Sequence, residues 1–562
     1  MIKKFTFLWV VFVCLFNSQK LFAQQTFGLF SKTHDATEGY TLFSPNGFPA
    51  HYLIDKCGKL VNKWTVKKNP GLDAFLLPNG NLLSTGNTMN PHFPGAGSAG
   101  GLLEIYSWDN KLLWSYTISD SLEDQNHDVY PMPNGNILVA IWDYHTDKEA
   151  ISMGRDSATG LGQWCAKVEE IQPMDSTHAN IVWQWRMWDH LIQDRDSTKP
   201  NYGKIIDHPE RLNINFKGVG AGGLAADWTH LNSVTYNPAL DQVMISLREM
   251  NEIYVIDHST NSSEAASKSG GKRGKGGDIL YRWGNPIAYN RGTKADEQLF
   301  VQHNATWIPK GYLDENKIMI FNDGTGRPGG NYSSIDIISP PVNANGDYQI
   351  GNGQAFGPAG SYWTYKAPNL TDFYSVVEGG VQRLLNGHTL ICESTKGNFF
   401  EIDSSNNIVW RYVNPVGPKG PMAQGLTPVF LSNGVYRAVL YDTSYSAFAG
   451  KKLVAGSPIE LNPLSYACTT VGVDNSAKPI SYQFKIVNPF SDVLSLSTSE
   501  NIENATISIY DITGKCMQIW NYQNFDDGKN MQFHVSPSIR PGIYLLKIIN
   551  EKGEFNSKII HN

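Results

Sequence analysis

The chain has 562 residues, of which 41% are hydrophobic, and a formal net charge of −6. This length allows one large domain followed by a small one, and the acidic balance gives no reason to expect a nucleic-acid partner. The six cysteines are scattered without a CxxC pair, so neither a zinc knuckle nor a disulfide scaffold is predicted.

The N-terminal segment, residues 1–23, has the pattern of a signal peptide. Lys3 and Lys4 precede an apolar run from Phe5 to Phe16, and Ala23 ends the segment as a cleavage residue. The apolar run is too short to span a bilayer. We therefore predict export with cleavage after Ala23, and no transmembrane segment.

Two strand signatures alternate along the next 400 or so residues. One is an apolar pair followed by an aromatic-x-aromatic step, with copies at 112–116, 181–185, 279–283, 361–365 and 408–412 and a looser copy at 60–64. The other is a run of alternating apolar residues that closes on a polar turn such as Pro-Asn-Gly-Asn, which is typical of hairpin strands. Such a double repeat indicates a β-propeller.

The order of these strands predicts the number of blades. Five inner strands each precede an aromatic strand, whereas an inner strand around Leu426 to Leu440 has no aromatic step after it. The strand of Trp64 has no inner strand before it. Both strands find a partner if the segment from Tyr52 to Trp64 completes the last blade, which leaves no free sheet edge. We therefore predict a six-bladed propeller over residues 24–468.

Two cysteines are candidates for a disulfide. Cys57 lies on the closing strand and Cys468 lies just past the last blade, so the closure predicted above can bring them close together. The alternative is that both remain buried free thiols.

The pattern changes after Cys468. A linker over 469–480 leads into short alternating strands over 481–562, which predict a small immunoglobulin-like β-sandwich and hence an all-β chain. The motifs at 488–490, 509–515 and 541–547 resemble the C-terminal sorting domain of the type IX secretion system. The resemblance implies that this machinery carries the protein from the periplasm past the outer membrane, so that it is secreted or held at the cell surface.

Three histidines share one register of the inner strands. Seven residues before the polar turn lie His127, His230 and His303 in blades 2, 3 and 4. The same offset gives residues without a polar side chain in the other blades: Leu72, Gly379 and Leu426. Inner strands begin at the central channel, so the histidines are expected to surround one opening. Separate needs for strand capping would not favour a common register, and histidine exchanges protons near neutral pH. We predict a site for anion binding and proton transfer.

Polar residues accompany these histidines. Asp227 lies three residues before the second of them, and Asn304 directly follows the third. After the third strand a Gly-rich turn delivers Arg327, whose guanidinium group matches a tetrahedral oxyanion. Arg248 ends the strand VMISLR and is a further candidate to face the channel. We expect Asp227, Asn304 and Arg248 to bind substrate.

The motifs DWTH at 227–230, QHN at 302–304 and NDGTGR at 322–327 resemble those of the bacterial arylsulfate sulfotransferases. The resemblance extends through most of residues 40–465. It implies a six-bladed propeller that moves a sulfuryl group from an aryl sulfate to a phenol through a histidine-bound intermediate, without 3′-phosphoadenylyl sulfate. It implies catalytic roles for His230, His303 and Arg327. We assign no cofactor and no metal ligand on this basis.

The chain departs from that family at one position. The nucleophilic histidine of the family is expected in the register of Gly379 and Gly380, where this chain has none, and His388 is expected to point away from the channel. Either another histidine takes the covalent role, with His127 as the only other one at channel register, or the chemistry has changed. We include His127 in the predicted catalytic set.

Three functions are compatible with these features. The first, which we favour, is sulfuryl transfer from a small aryl sulfate to a phenol. The second is a metal-dependent hydrolase or lyase, because three histidines around one axis can bind a divalent ion and leave a position open. The third is a non-catalytic propeller that binds an anionic or sulfated ligand. Turnover of an aryl sulfate separates the first from the third, and metal analysis identifies the second.

Overall fold

The structure is a computed structural model that describes residues 25–94, 100–218, 226–464, 468, 484–498, 501–511, 516–525, 528–550 and 553–562. The chain divides into two compact units, residues 1–468 and 469–562. The predicted signal peptide and the predicted linker at 469–480 lie outside the described residues. In the part of the chain that is described, the α-helices are α1 (Asp147–Ser152) and α2 (Ser262–Ala265), and none is long and apolar enough to cross a membrane.

Four N-terminal strands precede four antiparallel sheets that follow one another along the chain. The N-terminal strands are β1 (Gly28–Lys32), β2 (Tyr40–Pro45), β3 (Ala50–Asp55) and β4 (Leu60–Thr65). Blade 1 contains β5 (Pro70–Leu76), β6 (Leu82–Asn87), β7 (Gly101–Tyr106) and β8 (Leu112–Thr117). Blade 2 contains β9 (Glu123–Pro131), β10 (Ile137–His145), β11 (Gln163–Pro173) and β12 (Ala179–Arg186). The insertion after it contains the short parallel pair β13 (Leu191–Ile192) and β14 (Leu212–Asn213).

Blades 3 and 4 repeat this plan. Blade 3 contains β15 (Leu231–Asn237), β16 (Gln242–Leu247), β17 (Glu252–Asp257) and β18 (Tyr281–Trp283). Blade 4 contains β19 (His303–Trp307), β20 (Ile318–Asn322), β21 (Ser334–Ile338) and β22 (Trp363–Tyr365).

The last two blades incorporate the N-terminal strands. Blade 5 contains β23 (Gly380–Arg383), β24 (Thr389–Glu393), β25 (Asn398–Ile402) and β26 (Ile408–Val413), with β1 added beside β26. The short hairpin of β27 (Val416–Gly417) and β28 (Gly420–Pro421) leads to β29 (Val435–Tyr441). Blade 6 has the order β29-β2-β3-β4. The six-bladed, all-β fold is therefore confirmed, and the two ends of the propeller share one sheet.

Two details of the closure differ from the sequence prediction. The strand that pairs with β29 is β2, one strand earlier than the predicted segment from Tyr52 to Trp64, which forms the outer half of the blade. The inner strand also begins at Val435 and not near Leu426. Neither β1 nor β2 carries the aromatic-x-aromatic step on which the prediction depended.

The aromatic steps have a structural cause. In five of the six steps an aromatic side chain donates a hydrogen bond to a backbone carbonyl or hydroxyl in an outer turn of the next blade. The contacts are Trp64 to Ser107 O, Trp114 to His178 O, Trp183 to Thr260 Oγ1, Tyr281 to Gly357 O and Trp410 to Lys56 O, at 2.8–3.0 Å. The last of these joins blade 5 to blade 6. A requirement that recurs at most junctions produces the repeat in the sequence.

The closure is reinforced by a covalent bond. Cys57 and Cys468 form a disulfide with a Cα–Cα distance of 5.6 Å and a sequence separation of 411. The first of the two alternatives considered for these cysteines is therefore the one found. Among the described residues, Cys165 and Cys392 are buried free thiols.

The second unit is a two-sheet sandwich. One sheet contains β30 (Phe484–Ile486), β31 (Val493–Thr498) and β34 (Asn530–His534), and the other contains β33 (Cys516–Phe525), β32 (Ile502–Tyr510), β35 (Gly542–Asn550) and β36 (Gly553–His561). Apolar side chains from both sheets, such as Leu496, Ile507 and Leu546, are buried between them. This agrees with the predicted β-sandwich.

Candidate functional site

Three histidines of neighbouring blades meet at the start of the inner strands. His127 lies in β9, His230 directly precedes β15 and His303 begins β19. One nitrogen atom of each ring lies within 4.8 Å of a nitrogen of the other two. The ring centroid of His127 is 4.6 Å from that of His230 and 6.3 Å from that of His303. We call His127, His230 and His303 the histidine centre.

The backbone is unusual at each of these positions. His127 and His230 have φ values of 46° and 48°, and Asn304, directly after His303, has a φ of 41°. Each inner strand also contains a register shift at this point. Residues other than glycine seldom adopt the left-handed region, and bulges redirect side chains. The chain therefore uses the same strained feature in three blades to direct the imidazoles toward one point.

The Nδ1 atom of every ring in the histidine centre contacts an oxygen acceptor. Nδ1 of His230 lies 2.5 Å from Oδ2 of Asp227, whose Oδ1 accepts a hydrogen bond from Nε1 of Trp142 at 2.9 Å. Nδ1 of His303 lies 2.9 Å from Oδ2 of Asp323, and Nδ1 of His127 contacts Oδ1 of Asn126. In the tautomer that carries its proton on Nδ1 and donates to these oxygen atoms, Nε2 is the nitrogen left to act on a ligand.

Burial keeps two of the imidazoles neutral. His127 and His303 are each 1% exposed. Burial lowers the pKa of both rings well below the ordinary value, and their neighbours His230, Arg248 and Arg437 lower the pKa of each further. Within the described residues Nε2 of His127 has no hydrogen-bond partner. A neutral ring with a free Nε2 lone pair can act as a base, a nucleophile or a metal ligand.

Blade 6 contributes a buried ion cluster next to the histidine centre. Arg437 of β29 donates to Oδ2 of Asp73 at 2.7 Å and to Oδ1 of Asp128, the residue after His127, at 2.8 Å. The ring of Tyr436 lies 5.9 Å from that of His127. This cluster joins blades 6, 1 and 2 beside the histidines.

The two predicted arginines occupy different surroundings. Arg248 is buried, forms an ion pair with Glu249, and acts electrostatically on His127 and His303. Arg327 instead packs against the ring of Tyr332 at 4.3 Å and donates to Oγ of Ser334 at 2.8 Å. The described contacts of Arg327 do not reach the histidine centre.

Two further predicted residues have structural partners. Oδ1 of Asn304 accepts a hydrogen bond from the backbone N–H of Val381 at 2.8 Å and so ties blade 4 to blade 5. His388, which we expected to point away from the channel, has Nδ1 2.7 Å from Oε1 of Glu401, a carboxylate that also pairs with Lys56. The third predicted substrate ligand, Asp227, orients His230 as described above.

The register where the family's nucleophile is expected has no room for a side chain. A Cβ atom on Gly379 would lie 2.4 Å from Cε1 of Phe321, and one on Gly380 would lie 2.9 Å from Cγ of Arg437. Real Cβ atoms do not approach other atoms so closely. Blade 5 therefore cannot hold a histidine at either position without repacking.

Glu378 is the residue that blade 5 directs toward the centre, and the sequence analysis missed it. Its φ is 60°, as in the left-handed region used by His127 and His230. Its carboxylate accepts hydrogen bonds from Ser394 Oγ at 2.8 Å and Asn46 Nδ2 at 3.0 Å. Burial raises the pKa of Glu378, and the hydrogen bonds from Ser394 and Asn46 oppose that rise. Glu378 lies one residue before the seven-residue offset, so a polar residue directly before Gly379-Gly380 was the available signal.

Comparison with known proteins identifies both units. Residues 37–416 match the family model described as Arylsulfotransferase (ASST), and residues 488–562 match the Secretion system C-terminal sorting domain. No curated protein matches the chain. The sorting domain supports secretion or display at the cell surface.

Solved structures are similar only at a distance. A protein of unknown function from Bacteroides caccae is 11% identical with a TM-score of 0.35, and the match covers 67% of this chain and 94% of that one. A protein from Lactobacillus plantarum is 10% identical with a TM-score of 0.35 over 88% of this chain and 100% of that one. The periplasmic gluconolactonase PpgL of Pseudomonas aeruginosa is 10% identical with a TM-score of 0.35 over 89% and 99%. We base no functional argument on these likenesses.

Proposed function

The chain belongs to the arylsulfotransferase family, and from that premise we propose that its histidine centre transfers a sulfuryl group from an aryl sulfate to a phenolic acceptor without 3′-phosphoadenylyl sulfate. The observation that carries this proposal is the convergence of three imidazole nitrogens within 4.8 Å of one another in the channel. The sorting domain supports delivery of this activity to the cell surface or the medium by the type IX route, after removal of the signal peptide.

The reaction makes definite demands on the site. The bond between sulfur and the aryl oxygen breaks with its electron pair on that oxygen, and a bond forms between sulfur and the acceptor oxygen. The phenolic proton of the acceptor ends on the departing aryl oxygen. A site for this reaction needs a positive charge near the sulfuryl oxygens and a group that relays the proton. Arg248 supplies positive charge at the centre, and His230, paired with Asp227, is the partly exposed imidazole that can relay a proton.

Two routes of this reaction fit three convergent Nε2 atoms. In the covalent route Nε2 of His127, which has no partner among the described residues, attacks sulfur and holds the sulfuryl group until the acceptor arrives. In the direct route the acceptor attacks sulfur without an intermediate, and a cation held by the three rings would supply positive charge to the sulfuryl oxygens. Base-quenched protein contains N-sulfohistidine only in the covalent route.

The test is turnover of 4-nitrophenyl sulfate by the purified full chain with a phenol as acceptor. We expect 4-nitrophenolate and the acceptor sulfate in equal amounts. His303→Ala should lower turnover by about 100- to 1,000-fold, as does loss of one preorganised transition-state donor. The matched control is His178→Ala, because His178 is exposed and contacts only Asp175 and Thr177 through its side chain. Absence of turnover by the wild type, or full activity of His303→Ala, contradicts the proposal.

A further inference from the structure

The close approach of the three imidazoles in the histidine centre is electrostatically unfavourable without a bound ligand. Each Nδ1 contacts an oxygen atom, an arrangement that leaves Nε2 as the nitrogen available for a ligand, and one nitrogen of each ring lies within 4.8 Å of the others. His127 and His303 are shielded from water, and Nε2 of His127 has no partner among the described residues. Buried acceptors without donors are costly, and neighbouring lone pairs repel one another. A cation between the rings removes both costs.

We propose that His127, His230 and His303 bind one divalent transition-metal ion, for which Zn²⁺ is the best match, with a further coordination position open to the channel. Three imidazoles form the ligand set of open zinc sites. With Zn–N distances of about 2.0–2.1 Å, tetrahedral ligands lie roughly 3.3 Å apart. The rings are within 4.8 Å, so side-chain rotation of the order of 1 Å brings them to bonding distance without a change of fold.

The groups behind the rings provide an independent observation. Asp227 and Asp323 accept hydrogen bonds from Nδ1 of His230 and His303, which is the carboxylate–histidine arrangement that orients metal ligands and raises their basicity. Trp142 fixes the first of these carboxylates in turn. An imidazole that only caps a strand needs no such second layer, whereas a metal ligand does.

Carboxyl groups lie around the centre and offset its arginines. They come from three elements: Asp227 before β15, Asp323 after β20 and Glu378 before β23. Arg248 and Arg437 both act electrostatically on the rings, and each is already paired with acidic groups of its own. If the proposed function holds, the open position of the bound ion is where a sulfuryl oxygen of the aryl sulfate binds.

The first experiment measures metal directly on full-length protein purified without a histidine tag. Elemental analysis after dialysis should find near-stoichiometric zinc or another divalent transition metal. Chelation should lower the melting temperature of the propeller, and Zn²⁺ alone should restore it. Cobalt substituted into the chelated protein should give the visible absorption bands of a low-coordinate nitrogen site. Failure of Zn²⁺ and Co²⁺ to bind the chelated wild type overturns the inference.

Variants locate the ion. His127→Ala and His230→Ala should lose the cobalt spectrum and the stabilisation by Zn²⁺, whereas the exposed-histidine control His178→Ala should keep both. Since removal of a buried ring can also disturb folding, Asp323→Asn provides a milder change that keeps all three ligands. It should weaken Zn²⁺ affinity about 10- to 100-fold. Unchanged Zn²⁺ affinity in His127→Ala, His230→Ala and Asp323→Asn alike means that metal binds elsewhere and overturns the inference.

The outcomes for metal and for function are separable. Bound metal without turnover of any aryl sulfate supports the site and contradicts the proposed sulfuryl transfer. Turnover by wild-type protein that binds neither Zn²⁺ nor Co²⁺, together with N-sulfohistidine in base-quenched protein, supports the covalent route and contradicts the metal site. Turnover lost on chelation and restored by Zn²⁺ supports both.

Discussion

Gly379→Ala tests whether blade 5 is closed to the side chain that the family places there. The added Cβ atom would lie 2.4, 2.5 and 2.6 Å from Cε1, Cζ and Cδ1 of Phe321, whereas carbon atoms in contact are about 3.5–4.0 Å apart. The ring therefore has to move by about 1 Å. It is fully buried and packs edge-on against Phe373 with a centroid distance of 5.6 Å. We expect destabilisation of about 2–3 kcal/mol, the upper part of the range for overpacking, and a greater loss for Gly379→His.

Urea unfolding followed by tryptophan fluorescence measures this change in the propeller. Of the 15 tryptophans only Trp520 lies beyond residue 468, so the second unit contributes little signal. The control is Gly360→Ala, because a Cβ atom there meets only Oε1 of Gln298 at 3.9 Å, and it should shift stability by less than about 0.5 kcal/mol. Phe321→Leu should recover part of the loss in the double variant. Equal stability of the two alanine variants would refute the steric argument.

Three other predictions concern the arginines, the closure and the sorting domain. Arg248→Ala should reduce turnover of 4-nitrophenyl sulfate by at least about 100-fold. Arg327→Ala should have a smaller effect, because its described contacts lie away from the histidine centre. If a steady-state assay gives the reverse order, Arg327 has the catalytic role that the family resemblance implies. Deletion of residues 24–64 removes β1 to β4 and exposes an edge of β29. The free energy of unfolding should fall by several kcal/mol, against a total of about 5–15 kcal/mol. We therefore expect solubility and circular dichroism to show no folded propeller. Deletion of residues 481–562 should leave turnover of the purified protein unchanged and abolish its export past the outer membrane, measured by fractionation.

The architecture could be predicted because one packing requirement recurs. At most blade junctions an aromatic side chain donates to the next blade's outer turn, as Trp114 and Trp410 do, so the sequence repeats where the contact repeats. The strands β1 and β2 make no such contact, and they were missed. The disulfide could be proposed as a pairing only because the closure brings Cys57 and Cys468 together.

The candidate site could be predicted only where it follows strand register. The offset from a turn placed the three histidines together because each inner strand carries its bulge at the same distance from that turn. The offset did not identify Glu378, which lies one residue before the position that the offset gives in blade 5 and before the first residue of β23. Arg327 follows two glycines with φ near 81°, and the direction that a chain takes after such a turn is not encoded in periodicity. Contacts made across the channel, such as Arg437 with Asp128, have no signal along the chain.

The departure at Gly379 and the proposed cation have a common explanation. A family site with an imidazole from the fifth blade has one more group that can carry positive charge toward an anionic donor. Here that blade contributes a carboxyl group from Glu378 instead, and Phe321 occupies the space of the missing ring. The exchange removes a group that can carry positive charge toward a sulfate ester. An ion held by the remaining three histidines supplies the positive charge that blade 5 does not provide in this chain. The chain can then keep sulfuryl chemistry with a changed set of residues, and zinc-dependent turnover is the property that would distinguish it from relatives that use the covalent route.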